Sequence, residues 1–250
     1  MKSQEIEVSN VSFSYGGTSP ELCDISTTIP HGSFCGITGI NGSGKSTFAY
    51  LLNGLIPHQV YGKFIGDVWI DGENTRKKPV AYFAKKVGFV FQNPDFMIFN
   101  LTVHEEIAFG VKNLGLTDVD RRISEALDTA GLAGFEERDP HTLSLGQKQK
   151  LCLAIAIAMD TDYIVLDEPT AMLDYVSALH LYSLLVTQHK KGKTIIVIEH
   201  DTDFLLSYAS QLLIFDKGMI VQQGNAQEIL AHHEMLRQMG IKIPHHITHD

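Results

Sequence analysis

The sequence predicts an α/β fold: a core built around a parallel sheet, an antiparallel β region before it and a helical segment inserted into it. Short, continuous apolar runs at 34–38, 87–91, 163–166 and 194–198 are typical of strands covered on both sides. A glycine-rich loop and a helical pattern follow the first run, as in the strand–loop–helix units of α/β cores. Between the second and third runs, residues 103–159 carry helical patterns, which predicts the insertion.

The N-terminal part is predicted to be β structure of a different kind. Apolar residues alternate over 6–15, which predicts short antiparallel strands interrupted by Asn10 and ended by a pair of glycines. Residues 67–72 predict an edge strand and a turn. Residues 48–52 predict the helix that follows the glycine-rich loop.

Helices dominate the middle of the chain. The helical pattern of 121–130 places its apolar residues on one face, and 145–159 is apolar nearly all round, which predicts a buried helix. After the last strand of the core, 212–221 predict a hairpin and 226–239 an amphipathic helix. We therefore expect a single domain over 1–250, made of an α/β core (1–94 and 160–225), a helical subdomain (95–159) and a C-terminal helix and tail (226–250).

Composition and charge exclude several classes of protein. Apolar residues make up 44% of the 250 residues, as in globular chains. Twenty Lys and Arg against 29 Asp and Glu give a net charge of −9, which disfavours nucleic acid as a partner. The start of the chain has no signal-peptide pattern, and its longest apolar run, 151–159, is about half of what a membrane span needs. Cys23, Cys35 and Cys152 form no metal or redox motif, so we expect small apolar side chains in a reduced cytosol.

The glycine-rich loop carries the strongest chemical signal. Residues 39–46, GINGSGKS, match the phosphate-loop pattern GxxxxGK[ST], of which about 0.01 chance matches are expected in a chain this long. Its glycines let backbone N–H groups turn around a phosphate, while Lys45 reaches the β- and γ-phosphates and Ser46 reaches Mg²⁺. The predicted nucleotide-binding residues of this loop are Gly39, Asn41, Gly42, Ser43, Gly44, Lys45, Ser46 and Thr47.

Acidic and basic groups follow two of the predicted core strands. Asp167 and Glu168 come directly after 163–166, at the end of a strand where α/β sheets bind ligands. We expect Asp167 to hold Mg²⁺ and Glu168 to orient the attacking water, although an acid pair can also cap a helix. His200 follows 194–198 in the same way and could donate to a γ-phosphate, or only satisfy a carbonyl at the strand end.

A short pentapeptide opens the predicted buried helix. Residues 143–147, LSLGQ, place Ser144 and Gln147 at the spacing of a capping box. The same geometry leaves a helix N-terminus free to bind a phosphate, so the structural and functional interpretations both stay open.

In this order, the motifs resemble those of an ABC-type ATPase subunit, whose P-loop (RecA-like) nucleotide-binding core carries an N-terminal antiparallel region and an inserted helical subdomain. The resemblance implies that Tyr15 stacks on adenine and that Gln92 touches Mg²⁺ and links the core to the insertion. It identifies 143–147 as the signature loop, which acts across a head-to-tail dimer on the partner's nucleotide. It also identifies 171–174 as the D-loop and His200 as the switch histidine.

Finer features narrow the resemblance within that family. Residues 91–95, 102–110 and 170–174 are similar to A-component ATPases of energy-coupling factor (ECF) importers of vitamins and of cobalt or nickel. This similarity implies a second ATPase subunit, identical or paralogous, integral membrane partners and a peripheral position at the cytoplasmic face of the membrane. The implied site residues are Glu168, His200 and Gln92 for catalysis, Ser144, Gly146, Gln147 and Asp174 acting in trans, and Ser46, Gln92 and Asp167 for Mg²⁺ bound with ATP.

Alternative functions stay open at this point. The chain could serve another ABC importer, act as a soluble ABC ATPase such as an iron–sulfur assembly factor, or bind nucleotide as a regulatory module with little turnover. Leu145 motivates the last alternative, because the family usually has glycine there. If that position requires backbone freedom or close phosphate approach, Leu145 weakens one composite site. If it lies in the first turn of the helix with ordinary backbone angles, leucine is tolerated and we expect activity.

Two further segments have competing interpretations. Residues 96–99, FMIF, could line a groove for a helix of a membrane partner or pack inside the helical insertion. Histidines at 232–233 and 245–249 suggest metal binding, but we favour a solvated helix face and tail.

Overall fold

Two sheets form the framework of the computed structural model, which describes residues 4–17 and 19–245. One is antiparallel, with strand order β2-β1-β4-β5, and the other has order β10-β9-β3-β8-β7-β6. The strands are β1 (Glu5–Ser14), β2 (Leu22–Pro30), β3 (Phe34–Gly39), β4 (Lys63–Ile70), β5 (Glu73–Asn74), β6 (Val87–Val90), β7 (Tyr163–Asp167), β8 (Thr194–Ile198), β9 (Gln211–Asp216) and β10 (Met219–Asn225).

Helices cover the second sheet and form the insertion. They are α1 (Lys45–Leu51), α2 (Leu55–His58), α3 (Val80–Phe83), α4 (Val103–Asn113), α5 (Val119–Ala130), α6 (Leu145–Ala158), α7 (Tyr175–Lys190), α8 (Thr202–Tyr208), α9 (Ala226–Leu230) and α10 (His233–Gln238). In the part of the chain that the structure describes, no helix is both long and apolar enough to cross a bilayer.

The predicted buried strands are confirmed. In the larger sheet, β3 lies between β8 and β9 and runs parallel to both. Every residue of β3, β7 and β8 is buried, as expected for strands with both faces covered. Because β6, β7, β8 and β3 are parallel neighbours, their carboxyl ends lie along one edge of the sheet, where α/β folds bind ligands.

Two apolar cores hold this sheet from opposite faces. Phe34 on β3 packs in a core with α4, α5, α6 and α7. The neighbouring Cys35 points the other way, into a core with α1 and the antiparallel sheet. The alternation follows from the two-residue period of a strand, and it fixes the strand ends between two packed layers.

The antiparallel region is also confirmed, with two corrections. The short strands predicted over 6–15 are one continuous strand, β1, and Asn10 lies within it. Asn10 has a positive φ of 49° and lies where the register of β1 shifts against both neighbouring strands. The predicted edge strand at 67–72 is wrong in its position, because β4 pairs with β1 on one side and with the two-residue β5 on the other. The edge position depends on Glu73–Asn74 pairing back, a contact that a local pattern does not specify.

Two helical expectations need correction. The single helix predicted over 226–239 is wrong: α9 ends before Ala231, and His232 has a non-helical ψ of 66° before α10 begins. α7 has no counterpart among the predicted helices; it begins after its N-cap residue Asp174 and buries Leu181 and Leu185. In contrast, α5 and the mostly buried α6 lie where the patterns predicted them.

Candidate ATP-binding and hydrolysis site

The loop between β3 and α1 has the backbone shape of a phosphate cradle. Gly39, Gly42 and Gly44 all have positive φ, at 144°, 75° and 100°. A Cβ on Gly39 would lie 2.1 Å from the carbonyl oxygen of Phe215, so only glycine fits there without displacing the backbone of β9. The loop leads directly into the N-terminus of α1, whose first residue is Lys45. Backbone N–H groups at such a terminus favour a bound anion.

Lys45 lies inside this cradle. Its side chain is buried, and Nζ donates hydrogen bonds to the carbonyl oxygens of Gly39 at 2.8 Å and Ile40 at 2.9 Å. Burial lowers the pKa of Lys45, and the carboxylates of Glu168 and Asp167 act in the opposite direction. The ammonium group is therefore held at the loop, where it can reach a phosphate.

Two side chains whose oxygen atoms could bind a cation, Ser46 and Asp167, are in contact beside the loop. The Ser46 hydroxyl donates to Asp167 Oδ1 at 3.2 Å, across 121 residues of sequence. Burial raises the pKa of Asp167, and the hydrogen bond from Ser46 offsets part of that effect. A hydroxyl and a carboxylate in contact are ligands that Mg²⁺ prefers, and a cation between them would favour the ionised carboxylate.

Glu168 is held from two sides. Gln92 Nε2 donates to Oε2 at 2.8 Å, and His200 Nε2 lies 2.9 Å from Oε1. Each of the three residues comes from the end of a different parallel strand, β6, β7 or β8. Glu168 itself has a positive φ of 46°, an uncommon backbone for a residue with a side chain. The three predicted catalytic residues therefore meet at one carboxylate.

A cavity of 320 Å³ joins the loop to this carboxylate. The residues that line it are Glu21, Asn41, Gly42, Gly44, Lys45, Ser46, Thr47, Gln92 and Glu168. Ser43 is buried just inside the loop, with no hydrogen-bond partner for its hydroxyl. Tyr15 lies at the margin, with its ring half exposed and its hydroxyl 3.0 Å from Thr47 Oγ1. An exposed aromatic face next to the loop suits stacking on a base.

The residues predicted to act in trans lie apart from that cavity. Ser144 caps α6 and forms a reciprocal capping box with Gln147, so the structural interpretation of the pentapeptide is confirmed. Asp174 caps α7, and hydrogen bonds from Ser177 lower its pKa. Gly146 lies in the first turn of α6, and a Cβ there would make only ordinary contact with Ser177. None of these residues lines the cavity.

Leu145 has an ordinary backbone. It is the first residue of α6 and is absent from the described residues that have positive φ. The position therefore requires no glycine for its conformation. Whether leucine limits the approach of a partner's phosphate stays a prediction.

Several polar residues around the site were not singled out from the sequence. Glu21 lines the cavity, and Gln149 Nε2 donates to the carbonyl oxygen of Gln92 at 3.0 Å, which joins α6 to the loop after β6. Thr170 bonds to Glu199, the residue before His200. The position of Glu199 between a buried strand and His200 is the only local signal for it, and the contacts of the other residues are non-local.

Metal binding, the interpretation of the histidines that we did not favour, gains no support. No group of three or more His, Cys, Asp and Glu side chains lies close enough to hold a metal ion within residues 4–17 and 19–245. His245 contacts Asp203, while 246–249 lie outside the described residues. The cysteine prediction is confirmed in part: Cys35 and Cys152 are buried thiols, while Cys23 is only half-buried.

This arrangement provides what phosphoryl transfer requires: a cradle for phosphates, oxygen ligands for a cation and a carboxylate positioned beside them. Fold and site together define a P-loop ATPase. The chain belongs to the ABC transporter family, whose sequence profile matches residues 22–171.

Relatives and solved structures extend the match over nearly the full chain. It is 46% identical to a Pyrococcus abyssi chain provisionally named an ABC transporter ATP-binding protein, over 96% of this chain and 87% of the other. It is 38% identical to the energy-coupling factor transporter ATP-binding protein EcfA of Methanocaldococcus jannaschii, over 96% and 85%. The structure of CbiO1 from Clostridium perfringens, part of the CbiONQ transporter complex, aligns with a TM-score of 0.82 at 29% identity, covering 95% and 94%.

Proposed function

We propose that this chain is the ATP-hydrolysing subunit of an ECF-type membrane importer. The observation that carries the proposal is the meeting of Gln92, Glu168 and His200 at the end of the phosphate cradle. The full-length similarity to EcfA proteins and to CbiO1 supports the transport role over that of a soluble ABC ATPase.

In the proposed mechanism, two subunits enclose two ATP molecules between them. The loop of one chain binds the phosphates, and the N-terminus of α6 of the other chain closes over the γ-phosphate. The separation of Ser144, Gly146, Gln147 and Asp174 from the cavity supports this arrangement, because a second chain can supply them from outside. Closing on ATP and reopening after hydrolysis would deliver mechanical work to membrane subunits.

Ser46 and Asp167 fit Mg²⁺, with Gln92 as a third oxygen donor from the adjacent loop. The fit rests on the hard oxygen donors of the Ser46–Asp167 pair and on a buried carboxylate that a cation would stabilise. When bound, Mg²⁺ neutralises charge on the β- and γ-phosphates.

The residues around Glu168 have distinct proposed roles. Glu168 accepts a hydrogen bond from the attacking water and so orients a lone pair of the water oxygen towards the γ-phosphate. His200 contacts the carboxylate through Nε2 and can donate to a γ-phosphate oxygen. Gln92 holds the other carboxylate oxygen and, through Gln149, connects this contact to α6.

A groove between the core and the helical insertion is the proposed docking site for a membrane subunit. It has a volume of 240 Å³ and is lined mainly by apolar side chains. The segment 96–99 divides between the two predicted roles: Ile98 is buried, Met97 lines the groove, and Phe96 and Phe99 are 78% and 59% exposed. An apolar groove with exposed aromatic residues beside it suits an amphipathic helix of a partner at the cytoplasmic face of the membrane.

Two measurements test the proposed function. Glu168→Gln should bind ATP as the parent does and lose most steady-state turnover, because a neutral amide lacks the negative charge that polarises the attacking water and cannot take its proton. Purification from native membranes should recover integral membrane proteins with this chain. Near-normal turnover of Glu168→Gln would remove Glu168 from the mechanism, and recovery of soluble partners only would favour a non-transport ATPase.

A further inference from the structure

Glu199 is a buried carboxylate that the proposed chemistry does not use. It follows β8 directly, its backbone N–H donates to the carbonyl oxygen of Ile37 at 2.9 Å, and the residue is only 3% exposed. Burial raises the pKa of Glu199. Burying an acidic group costs free energy unless hydrogen bonds compensate it. The hydrogen bonds of this carboxylate therefore indicate which parts of the chain it holds in place.

One carboxylate oxygen of Glu199 organises the histidine loop. Oε1 accepts hydrogen bonds from the backbone N–H groups of His200 at 2.8 Å and Asp201 at 3.2 Å. The imidazole of His200 is itself 41% exposed, and its bond to Glu168 is made by the ring alone. By holding the backbone of His200, Glu199 therefore fixes the position from which the imidazole side chain extends towards Glu168.

The other oxygen reaches Thr170, the residue directly before the D-loop at 171–174. Oε2 accepts from the Thr170 hydroxyl at 2.5 Å, while the Tyr182 hydroxyl lies 3.5 Å away, at the limit of a hydrogen bond. Thr170 stands between Glu168 and the turn at 171–174, and its carbonyl oxygen accepts from the N–H of Leu173 at 2.9 Å. The same side chain thus holds the start of the D-loop and the backbone of His200.

We propose that Glu199 is a positioning residue that joins the D-loop to His200, so that placement of the D-loop sets the placement of the histidine. Met172 and Asp174 in this turn are both exposed, which leaves the turn accessible to a second subunit. Closure of the dimer on the D-loop of one chain is then transmitted through Thr170 and Glu199 to the histidine of that chain. The inference rests on the proposed function.

The test compares two Thr→Val substitutions in the full chain. Thr170→Val removes the hydroxyl that bonds to Glu199, while the control Thr161→Val removes a buried hydroxyl that has no hydrogen-bond partner. Turnover is measured per ATP-binding site, with the number of sites titrated in the same preparation. This normalisation separates positioning from partial unfolding, because unfolding lowers the number of sites and leaves the rate per site unchanged.

Thr170→Val should lower kcat per site by about fivefold, the effect of one lost hydrogen bond, and leave the ATP Kd within about twofold. Thr161→Val should match the parent. Glu199→Ala should lower kcat per site by about tenfold or more, and Glu199→Gln should restore most of it, because an amide can accept from both N–H groups and donate to Thr170. In a His200→Ala background, Thr170→Val should add little further loss.

Equal kcat per site in Thr170→Val and Thr161→Val would overturn the inference, even if Glu199→Ala does not fold. An independent, multiplicative loss in the His200→Ala background would also overturn it. If Glu168→Gln hydrolyses ATP like the parent, the proposed function fails first and this inference fails with it. If Glu168→Gln is inactive while Thr170→Val is normal, only the present inference fails.

Discussion

Gly39→Ala should destabilise the chain through a backbone contact at the base of the phosphate loop. Gly39 has φ +144°, a region that costs a residue with a Cβ about 1–3 kcal/mol. Its added Cβ would lie 2.1 Å from the Phe215 carbonyl oxygen, more than 1 Å closer than an ordinary contact. Phe215 is buried and paired with Gly39 in the sheet, so relief requires shifting β3 against β9, at about 1–3 kcal/mol. The two effects together predict a loss of about 2–6 kcal/mol.

Gly42→Ala is the matched control for this prediction. Gly42 also has a positive φ, of 75°, but nothing lies within 4 Å of a Cβ placed there. It should therefore lose only the conformational part, about 1–2 kcal/mol. Urea unfolding of the parent and both variants measures the free energies, provided that the m-values agree. A Gly39→Ala loss below about 0.5 kcal/mol, or equal losses in both variants, would refute the reasoning.

Three further predictions concern other parts of the molecule. Leu145→Gly should raise ATP turnover of the assembled complex, because it removes a side chain from the N-terminus of α6. The same change should lower the stability of the helix by about 1 kcal/mol. An unchanged turnover rate at equal assembly would contradict the prediction. Burial opposes ionisation of Asp203, but hydrogen bonds from Lys242 and His245 hold its pKa below the ordinary value. This stabilisation is present above about pH 4 and is lost as the pH falls through the native pKa. Asp203→Asn should therefore weaken the dependence of the unfolding free energy on pH between about pH 2 and 5. The same pH dependence in the parent and the variant would count against the prediction. Phe96→Asp or Phe99→Asp should leave the isolated chain folded, by circular dichroism, and abolish recovery of the membrane complex; unfolding would favour a packing role instead.

The site could be predicted from the sequence where a motif is attached to a buried strand. The phosphate loop follows β3, Asp167 ends β7, Glu168 follows β7 directly, and His200 is the second residue after β8. Because parallel strands share an edge at their carboxyl ends, short apolar runs were enough to bring these residues together. Gln92 came from the family resemblance, since a glutamine after a strand has no chemistry of its own that requires it there.

The remaining features depend on contacts that no local pattern encodes. The Thr170–Glu199 bond spans 29 residues, and the Gln149–Gln92 bond spans 57. Likewise, β4 is interior only because Glu73–Asn74 pairs back onto it. The break after α9 gives no signal in the pattern, because apolar residues continue with helical spacing through the turn at His232.

ATP-dependent pairing of Glu168→Gln chains tests the central claim most directly. The mass in solution, measured by analytical ultracentrifugation with and without Mg-ATP, should shift from one chain to two only when ATP is present. If the physiological partner is a paralogue, the same shift should appear in the co-purified pair. Lys45→Ala, which removes the ammonium group held in the cradle, should prevent the shift. The same mass with and without Mg-ATP would contradict the account, as would a Lys45→Ala chain that binds ATP and pairs like its parent.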